Sequence, residues 1–374
     1  MNTTIADAKA VVWSTLNALP GAPRGPSNAA TAWPALQKYF DPACEFHAFH
    51  PFNQCAGVEA FDMAFWQPLL HAIPNLERRV NLFFSGEFDG HICGGAGTWV
   101  TATGYLSGTM TGDWLGIPAT GDPIYVRIGE FYRVIGTKIV EARILLDLVD
   151  VMRQAGFTVL PKSNGLDLLV PGPQLSDGVL LQPQNPADTD RTMEVLIGMM
   201  SGLGTYDQKN LSSMNVHGHW HPNMMWYGPC GIGTSRDVAG FQKHHQKPFL
   251  HAFPDRKGAN HRARISEGQY VASTGWPSVQ ATHLGEYLGV PATHKGITMR
   301  VADWWRRDGD VLRENWVLID LPDLLLQMGV DLFARLEQQV AARPAVSGSA
   351  AFPAGVVNVV SASHLAGSVL VKAH

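Results

Sequence analysis

Between Ile5 and Leu19 apolar side chains recur at helical spacing and stop at Pro20-Gly21, which predicts an amphipathic helix followed by a turn. A short helix over Ala32–Tyr39 leads into an extended run to His50, and a further helix covers Val58–His71 before Pro74. Glu77–Phe84, His91–Leu106, Ile124–Val134 and Lys138–Leu148 read as strands separated by Gly-rich turns, with Asp150–Ala155 as a short closing helix. Helices first and long antiparallel strands afterwards predict an α+β plan in which a curved sheet wraps a helix. Phe157–Pro186 carries Pro161, Pro171, Pro173, Pro183 and Pro186 without sustained periodicity and reads as a linker. The plan then restarts. Helices are predicted over Thr189–Leu203 and Val238–His251, and strands over His261–Glu267, Gln269–Leu284, Thr298–Arg306 and Val311–Leu321. A helix over Leu324–Gln338 closes this half. Ala341–His374 is rich in Ala, Ser, Gly and Val and reads either as a strand around Val356 or as a tail.

The restart is a duplication. Gly116–Thr120 reads GIPAT and Gly289–Thr293 reads GVPAT, while PLLHAIP at Pro68–Pro74 is answered by PFLHAFP at Pro248–Pro254. The register extends beyond these words. Arg127 faces Arg300, Glu130 faces Asp303, Glu141 faces Glu314 and Asp147 faces Asp320, while further upstream Phe46 faces Trp226. A repeat this long means duplicated domains rather than a solenoid. The expected organisation is a first domain over 1–157, a linker over 158–187, a second domain over 188–340 and a low-complexity tail over 341–374.

The chain has 374 residues, with 28 Lys+Arg against 32 Asp+Glu and no basic run. That composition argues against nucleic-acid and anionic-membrane partners, both of which need a clustered positive face. Only 16% of residues are charged, whereas there are 11 Trp and 15 His, so aromatic and imidazole groups must line interiors or pockets. Cys44, Cys55, Cys93 and Cys230 show no CxxC pairing, the usage of a reducing compartment. The N-terminal stretch lacks a basic region followed by an apolar one, and no later run reaches about 18 apolar residues. A soluble, cytoplasmic protein is expected.

Candidate chemistry begins with the endings LLDLVDVMRQAG (Leu145–Gly156) and LIDLPDLLLQMG (Leu318–Gly329). In each, an apolar strand delivers one acid, Asp147 or Asp320, just before a helix. By strand alternation Asp320 shares a face with Leu318, Trp316 and Glu314, and Asp147 with Leu145, Arg143 and Glu141. Such an acid either caps the helix that follows or sits in a pocket.

The string RENWVLIDLPDLLLQMG, the DWWR strand and the G(I/V)PAT turn together resemble the SnoaL-like polyketide cyclase family of the nuclear transport factor 2-like superfamily, over roughly 40–156 and 214–336. The resemblance implies two tandem cone-shaped (cystatin-like) α+β domains, each a curved sheet enclosing one apolar pocket. It also implies ring closure by intramolecular aldol chemistry without a cofactor, with Asp320, and Asp147 in the first unit, as acid/base. Proton removal beside a carbonyl at pH 7 needs a carboxylate whose pKa is raised by apolar walls. Trp304, Trp305 and Trp316 are candidate walls.

His71 and His251, in the duplicated PxLHAxP words, are candidates to donate to an enolate oxygen or to satisfy helix-end carbonyls. Tyr227 is a candidate oxyanion donor, and Trp226 and His283 are candidate pocket residues. Arg143 replaces Trp316 of the second unit and is expected to hold Asp147 ionised, leaving the first pocket the weaker base. Arg127 and Arg300 read as cross-strand bridges. His217, His219 and His221 form HxHxH, a metal-like spacing on a strand, but Pro222 and the absence of a fourth ligand leave metal binding unassigned. These features together predict a cofactor-independent cyclase or isomerase acting on a small apolar carbonyl compound, built as an intrachain pseudo-dimer and open to homodimerisation. An epoxide or ester hydrolase using the same pocket, and a non-catalytic binder, are the alternatives.

Overall fold

The computed structural model describes residues 3–22, 31–91 and 95–343, and all structural statements concern these; most of the Ala341–His374 segment lies outside them. In the first unit the strands are β1 (Phe40–Ala48), β2 (Gln54–Ala56), β3 (Glu77–Phe88), β4 (Gly97–Thr109), β5 (Pro123–Ile135) and β6 (Lys138–Leu146), in sheet order β2-β1-β6-β5-β4-β3. The second unit repeats this with β7 (Trp220–Tyr227), β8 (Thr234–Arg236), β9 (Lys257–Gly258), β10 (His261–Glu267), β11 (Tyr270–Thr282), β12 (Gly296–Asp308) and β13 (Val311–Ile319). Its order is β10-β11-β12-β13-β7-β8, with β9 on β11.

The long strands form the expected antiparallel run. The sheets are nonetheless mixed, because the first long strand of each unit inserts beside the last and parallel to it, β1 on β6 and β7 on β13. The helices of each unit cross over between these two strands, as a parallel pair requires. No helix among the described residues is long and apolar enough to cross a membrane.

Both mid-unit helices depart from the single helix expected. Each is α-helical, opens into a π turn (Asp62–Trp66, Gln242–Gln246) and returns to α-helix at Gln67–Ala72 or Lys247–Ala252. Pro68 and Pro248 supply the reason: proline lacks the N–H and crowds the carbonyl one turn back, and a wider turn relieves both. The closing helix is also broken, into Leu321–Met328 and Leu332–Ala342, because Gly329 takes φ +95° and Asp331 caps a new helix.

Both faces of β12 and β13 are covered. The face bearing Trp304 packs on the first unit, where Trp304 Nε1 donates to Thr101 Oγ1 at 2.8 Å and its ring lies 5.3 Å from that of Phe131. Gly129 makes this contact possible, since a Cβ there would fall 2.2 Å from Trp304 Cη2. Gly129→Ala is therefore expected to lower unfolding stability by about 1–3 kcal/mol through overpacking, read as a reduced midpoint in urea. The linker threads this junction. Trp316 Nε1 donates to Pro171 O at 2.9 Å, and Val170 N donates to Tyr105 Oη at 2.7 Å.

Candidate functional site

Strand alternation sends Asp303 and Trp305 of β12, with Asn315 and Val317 of β13, to the face opposite Trp304, where they line a cavity of about 220 Å³ beneath the helices of the second unit. Trp226, Phe241, His245 and Phe249 form much of the remaining wall. His245 stands in the π turn and stacks on Trp226, ring centroids 4.1 Å apart.

Asp303 is surrounded by protein, and the surface it keeps borders this cavity. Burial pushes its carboxyl up to about 7, opposed only by Asn315 Nδ2, which donates to Oδ1 at a long 3.4 Å. The imidazoles around it are held neutral. Burial and the nearby Arg256 push His245 down to about 3, and burial with Arg264 pushes His261 down to about 4. His261 Nδ1 pairs with Ser273 Oγ at 3.0 Å, whereas His245 Nδ1 and Trp305 Nε1 are buried without a hydrogen-bond partner among the described residues.

The first unit supplies an internal control. In the duplicated register Glu130 stands where Asp303 does, and Phe46, Phe61 and Phe65 where Trp226, Phe241 and His245 do. Those phenylalanines are buried and stack face to face, with centroids 4.3 and 5.1 Å apart. Glu130 is paired with Arg78 at 2.5 Å and accepts from Tyr132 Oη at 2.8 Å. Both of its oxygens are thus engaged by neighbouring side chains.

The acids singled out from the sequence take the capping alternative. Asp320 Oδ1 accepts from Asp323 N and Asp147 Oδ1 from Asp150 N. Their second oxygens reach across the junction in reciprocal fashion: Asp320 Oδ2 accepts from His50 N at 2.9 Å, and Asp147 Oδ2 from Cys230 N at 2.8 Å. Arg300 Nη1 lies 3.1 Å from Asp320 Oδ2 and also donates to Asn53 Oδ1. Arg127 donates to the carbonyls of Tyr227 and Gly228. Burial pushes both aspartates up to about 7.

One expectation is corrected here, because Arg143 does not hold Asp147 ionised. Arg143 pairs with Glu141 at 2.5 Å. Four strand residues, about 13 Å of rise, separate its Cα from that of Asp147, whose nearby cation is Arg127.

The other candidates disperse. Trp226 and Trp305 line the cavity, while Trp304 faces the first unit. Tyr227 and Trp316 stack on each other at 5.6 Å, near Glu314, on the face away from the cavity. His71 and His251 are exposed at helix ends whose last carbonyls, of Ala72 and Ala252, accept instead from backbone N–H groups of the following loops. His283 is buried against Phe253 and bonded to Thr293 Oγ1 at 3.0 Å. His217 and His219 lie in a helical turn before β7, so the three imidazoles do not share a strand face. Among the described residues, Glu45, His47 and Glu141 bring their donor atoms within metal-binding distance of one another, but Glu141 is already paired with Arg133 and Arg143.

A larger cavity, about 760 Å³, lies elsewhere, between the Ile5–Ala18 helix, the segment that joins the units and the second unit. The buried charges there are satisfied: Lys9 Nζ binds Glu267 and two carbonyls, and Glu267 also accepts from Ser85. The other acid in its lining, Asp190, is exposed.

Comparison with known proteins settles the family. The sequence profile of the SnoaL-like polyketide cyclases matches residues 28–155 and again 206–328, more than half of the chain. The chain belongs to the SnoaL-like polyketide cyclase family, in two tandem copies. Solved structures similar to it include a proposed SnoaL-like polyketide cyclase from Jannaschia sp. CCS1, 20% identical, covering 41% of this chain and 93% of its own, with a TM-score of 0.32. AclR, a proposed hydroxylase from Streptomyces galilaeus, is 24% identical and covers 38% of this chain and 86% of its own, with a TM-score of 0.31. A nuclear transport factor 2-like protein from Burkholderia xenovorans LB400 is 14% identical, covering 37% and 97%, with a TM-score of 0.30. No curated protein matches the sequence. Within this SnoaL-like chain, Asp303 is marked in the sequence as the register partner of Glu130 and the acid of the DWWR strand, neither of which places it at a cavity. The Phe65-to-His245 exchange between the copies was the signal that could have located its pocket.

Proposed function

We propose that the second unit removes a proton beside the carbonyl of a small substrate, with Asp303 as the base, and that the first unit is its structural partner. The observation that carries this reading is a carboxyl raised to about 7 that borders an aromatic cavity and has one long hydrogen bond. Such a group is ionised in part at neutral pH and still basic enough to take a carbon-bound proton, the tuning that general-base catalysis needs.

Asp303 accepts the proton, and the electron pair left on carbon delocalises onto the carbonyl oxygen as an enolate. His245, neutral and set in the helical wall, donates an N–H to that oxygen. A neutral imidazole suits this role because it need not give up its proton to strengthen the bond as charge develops. The enolate carbon then attacks a second carbonyl of the same molecule, and Asp303 returns the proton to the new alkoxide, so ring closure has no net redox change. Return of the proton to a different carbon gives isomerisation from the same first step. Family membership supports a cofactor-independent role of this cyclase or isomerase type.

The common first step is testable with 2-tetralone in deuterium oxide. The protein is expected to accelerate incorporation of deuterium beside the carbonyl, followed by NMR. An exchange rate no faster than buffer, together with incorporation of labelled water oxygen into ester or epoxide probes, would instead favour hydrolysis.

A further inference from the structure

A second cavity adjoins the inner one. An outer cavity of about 480 Å³ shares Met200, Leu203, Arg256, His261, Ser278 and Val279 with it, so Arg256 stands at the neck between the two. Arg256 Nη2 donates to Leu203 O at 3.2 Å, and its guanidinium lies over the rings of Tyr206 and Phe249, 5.6 and 6.0 Å from their centroids. Among the described residues it forms no ion pair, although it is half-buried. Asp255, next in the chain, is committed to Thr282 N at 2.9 Å. A desolvated guanidinium with unused donors and no counter-charge is costly unless something anionic joins it.

The duplication again isolates what is particular to this pocket. The words that follow the helix end read PNLE at Pro74–Glu77 and PDRK at Pro254–Lys257. Arg256 therefore replaces Leu76, which is buried in the first unit's core, and Lys257 replaces Glu77. The two exchanges turn an apolar and an acidic position into two cations beside the cavity that Asp303 borders. Lys257 is exposed beside the outer cavity and adds to the same positive field.

We infer that the substrate is a small carboxylate: its carbonyl-bearing ring system enters the inner cavity and its carboxylate is held by Arg256 at the neck. The inference deepens the proposed function and rests on it for which end reacts. Volume limits the ring system. A cavity of about 150 Å³ accommodates benzene, so one of about 220 Å³ takes one or two fused rings. Arginine is suited to the second part because its planar fork binds a carboxylate through two parallel N–H donors.

2-Naphthoate and its neutral amide, 2-naphthamide, separate charge recognition from ring burial. By calorimetry at pH 8, the protein is expected to bind the naphthoate at least about tenfold more tightly than the amide. Arg256→Leu, which installs the residue of the first unit, should erase that preference and leave amide binding within about twofold, while Arg256→Lys keeps part of it. An arginine that only caps the Leu203 carbonyl would leave the preference intact in Arg256→Leu, and this outcome overturns the inference. So does equal binding of the two probes by the unaltered protein, or no naphthoate binding at millimolar concentration. Asp303→Asn tells this inference apart from the proposed base. Tetralone exchange that persists in that variant overturns Asp303 as base, whereas retained naphthoate preference in the same variant supports the anion site independently.

Discussion

Asp303→Asn is expected to reduce deuterium exchange by about 10²–10⁴-fold while making the protein harder to unfold above neutral pH. The substitution keeps the shape of the side chain and removes its proton-accepting oxygen. The stability gain follows from linkage. With its carboxyl raised to about 7, folded Asp303 holds a proton between about pH 4 and pH 7 that the unfolded chain has released. The folded state then binds more protons, so this group's contribution to stability falls as pH rises through that window and stays low above it. Asparagine does not titrate. The variant's advantage in urea should therefore be nil at about pH 4, grow toward pH 7 and level off at a value on the order of 1–3 kcal/mol, the cost of an under-paired buried group. Asp147 and Asp320 are present in both proteins and cancel in the comparison. Exchange catalysed by the unaltered protein should rise with pH through about 7 and then flatten, and the variant should lack that rise. Full exchange in Asp303→Asn, or equal stability at pH 8, would contradict this assignment.

Asp320→Ala should do the reverse, costing stability while sparing chemistry. The change removes a helix cap worth about 0.5–2 kcal/mol. It also strips the acceptor from His50 N across the junction and one of two ion-pair partners, the other being Asp323, from Arg300. A total loss of about 2–4 kcal/mol is expected, read by urea unfolding. Exchange per folded molecule should stay within a few-fold of the unaltered protein at a temperature where both are folded. If exchange collapses while stability is unchanged, Asp320 acts as the base rather than as a clasp between the units. Asp147→Ala provides the mirrored test, because its carboxylate holds Cys230 N from the other side.

These two aspartates show how far a sequence carries. Their recurrence in both copies marks them, and alternation groups Asp320 with Leu318, Trp316 and Glu314. Alternation cannot say what each face of a strand meets. When one face is solvated the polar positions reveal it, but β12 and β13 carry large buried apolar side chains on both sides, Trp304 and Leu318 on one and Trp305 and Val317 on the other. The sheet-to-sheet junction and the cavity therefore look alike in the sequence. The π turn was illegible for a similar reason, since its period differs from an α-helix for a single turn; Pro248 was its only trace.

The sequence by itself determined the duplication, the order and extent of most helices and strands, and the family. Those follow from periodicity, from turn residues and from words repeated in register, all of which are local or self-referential. Tertiary structure alone decided which face of the second sheet borders the open cavity, and with it that Asp303 meets that cavity while Asp320 fastens one unit to the other. The physical reason is that a carboxylate's chemistry depends on what surrounds it. The groups around Asp303 come from β12, β13 and the π turn some 60 residues earlier, and only folding brings them together.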